Sequence, residues 1–196
     1  INDYADRDFD PHVERTRDRP MAARKVSTRE ALTLAAVLCF CAFLLVLPII
    51  REVWWLTLIA LFLAASYPYT KRFFALPQAY LGVAFGFGIP MAFAATTGEV
   101  GPLGWTLLVA NIFWALAYDT EYAMVDREDD LKIGICTSAI TFGRYDVMAV
   151  MACYGMVLAI FGVIGWGLRY SPLYFAGLAG AGAVAAYHYT LIRERE

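Results

Sequence analysis

Charge is scarce in this chain of 196 residues: only 17% are Asp, Glu, Lys or Arg, where soluble domains carry about 25%. Hydrophobic residues make up 60%, aromatics 15%, and the mean hydropathy is +0.55. That balance excludes an ordinary soluble domain. Cysteine is sparse too. Of the four, Cys39, Cys41 and Cys153 lie inside apolar runs and read as small buried hydrophobes. Cys136 stands in a polar loop with no CxxC and no histidine at ligand spacing, which argues against a cysteine-held metal. The two histidines, His12 and His188, have no partner at catalytic spacing and take no role. No GxxxxGK[ST] or dinucleotide fingerprint is present, so the chain lacks the usual nucleotide cradles. The net charge of −2 matters less than where the charges sit, and no nucleic acid is expected as a partner.

What is abundant is long apolar sequence. Six runs, 30–50, 53–69, 78–96, 103–118, 147–168 and 173–191, contain almost no charge. A helix crosses the hydrocarbon of a bilayer with about 20 apolar residues, and the runs approach or reach that length. The expected fold class is an all-α polytopic membrane protein with about six complete transmembrane helices and the lipid bilayer as its surroundings. Pro48, Pro68 and Pro90 are expected at or near run ends, where a lost backbone bond is tolerated.

Basic residues set the orientation. If the runs alternate in direction, 1–29, 70–77, 119–146 and 192–196 share one side, and that side holds fourteen of the sixteen Lys and Arg. Only Arg51 and Arg169 fall on the other. The crowded side is expected to be cytoplasmic.

Two acidic stretches lie on that same side: INDYADRDFD (1–10) and YDTEYAMVDREDD (118–130). Asp6 and Asp10 are four apart, as are Asp126 and Asp130, a spacing that puts each pair on one helical face. Two such faces opposed offer four hard oxygen donors of the kind Mg²⁺ takes, with water and substrate phosphates completing its shell. A magnesium-holding acidic mouth over an apolar bundle suits a ligand with a diphosphate head and a hydrocarbon tail. Solvated loop acids paired with Arg7, Arg127 and Lys132 are the plainer alternative.

The motifs themselves carry a resemblance. NDYADRDFD (2–10) is similar to the NDxxDxxxD motif of the UbiA superfamily of intramembrane prenyltransferases. DTEYAMVDREDD (119–130) resembles its DxxYxxxDxxxD motif, and YPYTK (67–71) its YxxxK element. LPQAYLGVAFGFGIPMAFAA (76–95) and KIGICTSAITFG (132–143) resemble the 4-hydroxybenzoate polyprenyltransferase branch. The resemblance covers essentially the whole chain. It implies a nine-helix bundle around a central cavity, with 1–10 as the end of the second helix and the six runs as helices three to eight. Residue 1 is Ile and falls inside a motif, so residues 1–196 are expected to be one membrane prenyltransferase domain, truncated at the N-terminus and at the C-terminus.

The activity implied by the resemblance is Mg²⁺-dependent transfer of a polyprenyl group from polyprenyl diphosphate to the ring carbon ortho to the hydroxyl of 4-hydroxybenzoate, in ubiquinone biosynthesis at a bacterial inner membrane. No obligate protein partner is evident. The expected metal ligands are Asp6, Asp10, Asp126 and Asp130, with Asn2 and Asp3 as weaker candidates. Asn2, Lys71 and Arg72 are expected to bind substrate, the last two from a loop closing over the diphosphate. Asp126, Asp119 and Tyr122 are the expected catalytic residues: a carboxylate to accept a proton or polarise the phenol, Asp119 two turns before Asp126 to orient a ligand, and Tyr122 to line the cavity. Asp8 and Asp129 are expected to face solvent. The glycines at 82, 86 and 88, and at 177, 180 and 182, are expected at close helix contacts.

Two other classes compete. A transporter would carry carboxylates at mid-membrane in broken helices, whereas these cluster at one face. A soluble isoprenyl diphosphate synthase shares paired acidic motifs but needs amphipathic helices. Within the superfamily, naphthoate, haem and chlorophyllide acceptors remain open.

Overall fold

The computed structural model describes residues 1–194, and within them the secondary structure is entirely helical. In chain order the helices are α1 (Asn2–Ala5), α2 (Thr28–Val46), α3 (Ile50–Thr70), α4 (Pro77–Gly86), α5 (Gly88–Thr97), α6 (Pro102–Val125), α7 (Arg127–Ile133), α8 (Ser138–Phe142), α9 (Asp146–Gly167) and α10 (Pro172–Ile192). The six apolar runs fall on α2, α3, α4 with α5, α6, α9 and α10.

Helix starts follow local chemistry. At α2, Ser27 Oγ accepts from Glu30 N while the Glu30 carboxylate accepts from Ser27 N at 2.9 Å, a reciprocal cap. The helical stretch Thr28–Thr70 runs 43 residues with only the short turn Leu47–Ile49 inside it. At 1.5 Å per residue that is about 64 Å, twice a bilayer's hydrocarbon thickness, so it makes two crossings. The four-residue α1 lies against both α2 and α3, and Arg72 just past the end of α3 bonds its Ala5 carbonyl, so the pair folds back as a hairpin at the turn holding Pro48.

One proline departs from its expected place at or near a run end. Pro90 interrupts the third run, splitting it into α4 and α5 at Phe87. Its ring nitrogen has no proton to give the Gly86 carbonyl four residues back. Pro68 lies in the last turn of α3, near the end of its run as expected, where it costs a single backbone bond.

At the centre is α6, which packs on α4 and α5 on one side and α9 on the other. It buries Leu108 in one apolar cluster with Val53, Leu56 and Phe87, and Leu116 and Ala117 in another with Val150 and Cys153. Close approach of α4 and α6 depends on Gly82: a Cβ there would lie 2.9 Å from the Ile112 Cα. Asn111 Nδ2 donates to the Gly82 carbonyl at 3.0 Å across the same seam. Gly86 likewise faces Asn111 and Leu108, but Gly88, Gly177 and Gly180 face open space, and Gly182 reaches only ordinary contact with Leu158. For those four the expected tight packing is absent.

By contrast α2 and α10 bury no residue, and side chains such as Leu45 and Leu173 project freely. In water such faces would drive aggregation; in lipid they are ordinary surface. The protein is a multi-pass membrane protein, and the bilayer is the solvent of its outer face.

Candidate active site

The first acidic segment is not one continuous helix. α1 ends at Ala5, and Asp10 opens a short 3-10 turn to His12. Helical spacing survives the break, because Asp6 N donates to Asn2 O at 2.9 Å and Asp10 N to Asp6 O at 2.8 Å. In the second segment α6 stops and α7 starts at Asp126, yet Asp126 N reaches Tyr122 O and Asp130 N reaches Asp126 O at 2.9 Å. Gly134 (φ +72°) then ends α7 in the left-handed conformation that favours glycine.

These segments meet. A cavity of about 240 Å³ is lined by Asn2, Asp6 and Asp10 from the first and by Asp119, Tyr122, Asp126 and Asp130 from the second. Lys71 and Arg72 close a third side. Every expected site residue therefore lines one cavity, although Asp3 and the surface acid Asp8 do not. Asp6, Asp10 and Asp130 are each buried to within 6% of full burial.

What compensates so many buried carboxylates is a set of cations. Lys71 Nζ lies 2.8 Å from Asp6, and Arg19 NH1 lies 3.1 Å from Asp10. Arg15 pairs with Asp126 through Nε and NH2 and stacks over the Tyr122 ring at 5.2 Å. Arg72 donates to the Ala5 carbonyl at 3.0 Å and lies over the Phe9 and Tyr69 rings.

The partners differ from the pairings expected on sequence. Arg7 pairs with Asp8, Lys132 with Asp129, and Arg127 with the fully buried Asp146, with further bonds to the Ala139 and Gly143 carbonyls. Arg15 and Arg19 are hard to single out in the sequence because they lie in an apparently ordinary basic loop. The one signal available is their position directly after the first acidic motif. Asp129, expected to face solvent, accepts Glu14 N at 3.1 Å and so pins that loop over the cavity.

Among the described residues Asp130 has no such cation of its own. Burial pushes its carboxyl up to about 7, with the Asp126 carboxylate adding to the rise and Lys71 and Arg15 opposing it. Burial also raises Asp10, against the lowering effect of Arg19.

The donor set suits a hard divalent cation in kind. It comprises carboxylate oxygens plus the Asn2 Oδ1, a buried acceptor with no partner among the described residues. No three His, Cys, Asp or Glu side chains among the described residues are arranged around one point, since Lys71, Arg15 and Arg19 hold the oxygens. The residues fit the group, with the basic side chains as the charges an incoming cation would replace.

A second polar cluster lies on the other face of α6. Glu121 Oε1 accepts Tyr154 OH at 3.0 Å and sits 3.0 Å from His188 Nε2, joining α6, α9 and α10. His188, given no role on sequence, is an interhelical contact.

The model of the UbiA prenyltransferase family matches residues 1–196. The chain belongs to that family. Among its relatives is a "4-hydroxybenzoate octaprenyltransferase" of Azoarcus sp. (strain BH72), 69% identical over all of this chain and 68% of the relative. A protein of the same description from Thiobacillus denitrificans is 67% identical over all of this chain and 67% of its own length. Among solved structures, the apo structure of a UbiA homolog from Aeropyrum pernix K1 superposes with a TM-score of 0.84 at 26% identity, over 97% of this chain and 72% of that one. Membership in the UbiA family disposes of the transporter and soluble-synthase alternatives, and the chain is a prenyltransferase in a helical membrane bundle.

Proposed function

We propose that this UbiA family member transfers a polyprenyl group from its diphosphate to the ring carbon ortho to the hydroxyl of 4-hydroxybenzoate, in ubiquinone biosynthesis. Residues 1–196 act as one membrane domain of a bacterial inner membrane, with the cavity open to the cytoplasm. The observation that carries the reading is the meeting of two acidic segments and four basic side chains in one cavity. That combination is what a diphosphate carried on cations requires. The description shared by the relatives supports the acceptor.

Asn2, Asp6, Asp10, Asp126 and Asp130 would hold magnesium, whose charge stabilises the diphosphate as it leaves. Lys71 and Arg72, with Arg15 and Arg19, supply fixed positive charge on the same oxygens, and such charge counts most where it grows during bond breaking. The prenyl C–O bond ionises, and the allylic cation is attacked by the activated ring carbon. Asp119 or Asp126 takes the proton that the aromatic acceptor gives up, and Tyr122 closes the cavity wall beside them. The tail lies along the apolar helices.

Membranes bearing the protein, incubated with a polyprenyl diphosphate, magnesium and a panel of aromatic acceptors, test the reading. Prenylated 4-hydroxybenzoate is the expected product. Turnover of a naphthoate or a tetrapyrrole in its place would reassign the acceptor.

A further inference from the structure

Gln78 is the one neutral amide on the α4 side of the cavity. It is the second residue of α4, only 4% exposed, and it lines the cavity wall. Its Oε1 accepts the backbone N–H of Ser138 at 2.8 Å. A backbone N–H can only donate, so the carbonyl end of the amide must face Ser138 and the NH2 end must face away.

The orientation is held from behind. Ser138 is fully buried, and its Oγ lies 2.7 Å from Thr120 Oγ1, which in turn bonds the Leu116 carbonyl. The carbonyl end of the side chain is thus fixed on α8, which is itself tied to α6. The Gln78 Nε2 donates to nothing among the described residues, yet it is not closed off from free space. A buried amide normally spends both donors. This one keeps them for whatever enters the cavity.

The level at which it sits identifies the ligand. Through Ser138 it is tied to Thr120, the neighbour of Asp119, about two helical turns from Asp126. The cations engage Asp6, Asp10 and Asp126, which is where a diphosphate belongs. At the Thr120 level the cavity adds a neutral donor, Gln78, and an acceptor, Asp119, which the Lys71 and Arg15 charges reach through space but do not hydrogen-bond. A hydroxyl gives one proton and receives one, so that pair is complementary to it.

We infer that Gln78 is a specificity-determining residue for the aromatic acceptor: its Nε2 donates to the phenol oxygen while Asp119 accepts the phenol proton. The inference rests on the acceptor reading above and adds which residue reads the hydroxyl.

Two variants test it in membranes: Gln78→Met, neutral and of similar shape, and Gln78→Glu, which keeps the acceptor for Ser138 N–H but loses the donors. Three constants are measured: the KM for 4-hydroxybenzoate, the KM for the prenyl diphosphate, and the Ki of benzoate, a competitor without the hydroxyl. The ratio of the first to the third cancels general packing effects and, in Gln78→Glu, repulsion of the shared carboxylate. It should rise about tenfold or more in both variants, because a site built to bond a hydroxyl discriminates strongly for it. The KM for the diphosphate should stay within about twofold, as Gln78 lies below the cationic mouth. If the ratio is unchanged, or the diphosphate constant moves in its place, the assignment is overturned. Should Gln78→Met fail to accumulate, Gln78→Glu decides alone. A wild-type protein inactive on 4-hydroxybenzoate would overturn the acceptor reading and this inference together, whereas wild-type turnover with an unmoved ratio overturns this inference only.

Discussion

Arg15 grips Asp126 through two of its nitrogens across 111 residues of chain. The pair puts a fixed cation on a carboxylate that belongs to the second acidic motif. With Arg19 on Asp10 and Lys71 on Asp6, it gives three of the cavity's five carboxylates a cation of their own. The energetic value of the Arg15 pair is modest, since its side chain is 41% exposed.

Arg15→Ala should therefore change two affinities in opposite directions. Freed of its partner, Asp126 should bind a divalent cation more tightly in the absence of substrate, by a few-fold. The prenyl diphosphate, losing a cation from its surroundings, should bind more weakly. Manganese titration followed by electron paramagnetic resonance reads the first, and substrate KM the second. Both affinities falling together would mean that Arg15 only holds the loop in place.

Asp10→Ala and Asp126→Ala should each abolish transfer while the protein still inserts and accumulates. Both groups line an open cavity and contribute little to helix packing. Losing one ligand removes several kcal/mol of leaving-group stabilisation. Chelation of divalent cations should silence the wild type in the same way. Product formation that continues under chelation, or in both variants, would end the magnesium reading.

Lys71 stands at the end of α3 with its ammonium on Asp6. Lys71→Ala should lower kcat as well as raise the KM for the diphosphate, because its attraction strengthens as the bond breaks. Lys71→Arg should restore part of the loss, keeping charge but changing geometry. If the residue only orients the chain, Lys71→Gln would leave both constants within about twofold. Steady-state kinetics normalised to inserted protein separates these outcomes.

Gly82→Ala should destabilise the bundle more than Gly86→Ala. The new methyl at 82 meets the Ile112 backbone, which can yield only if α4 and α6 part, and parting them also breaks the Asn111 bond. At 86 the obstacles are the Asn111 and Leu108 side chains, which can rotate, so that only the Asn111 bond is lost and the helices need not part. Overpacking of this kind costs about 1–3 kcal/mol, and thermal denaturation in detergent should rank the two variants. Equal melting temperatures would show that the seam has slack.

The number of apolar runs, the membrane class and the convergence of the acidic motifs were legible because they depend on run length and on charge counted by side. The i, i+4 spacing of Asp6 with Asp10 and of Asp126 with Asp130 also carried through, even across helix breaks that no residue pattern announces. Pairing was not legible. Whether Asp126 meets Arg127, its neighbour, or Arg15, far away, depends on how a loop of 11–27 folds back. Arg127 is instead drawn to Asp146 by two carbonyls that only the α8 turn brings near. Gln78 was hidden for a similar reason. A glutamine after a proline looks like an ordinary first-turn residue until the chain that seals its other end is known. The break at Pro90 could have been read, since proline in mid-run costs the carbonyl four residues before it.

Lys71 has a second bond that faces the other way. Its backbone carbonyl accepts Cys136 N at 2.7 Å, from the loop that succeeds the second acidic motif. One residue thus holds the first motif by its side chain and the sequel of the second by its main chain. Nearby, the Thr141 hydroxyl is bonded to the Ala75 carbonyl, doubling the seam between the two loops. The cover of the cavity is consequently one jointed piece rather than three independent flaps. Any shift that draws Lys71 toward an incoming anion must pull on segment 133–137 at the same time, so occupancy at one motif is felt mechanically at the other.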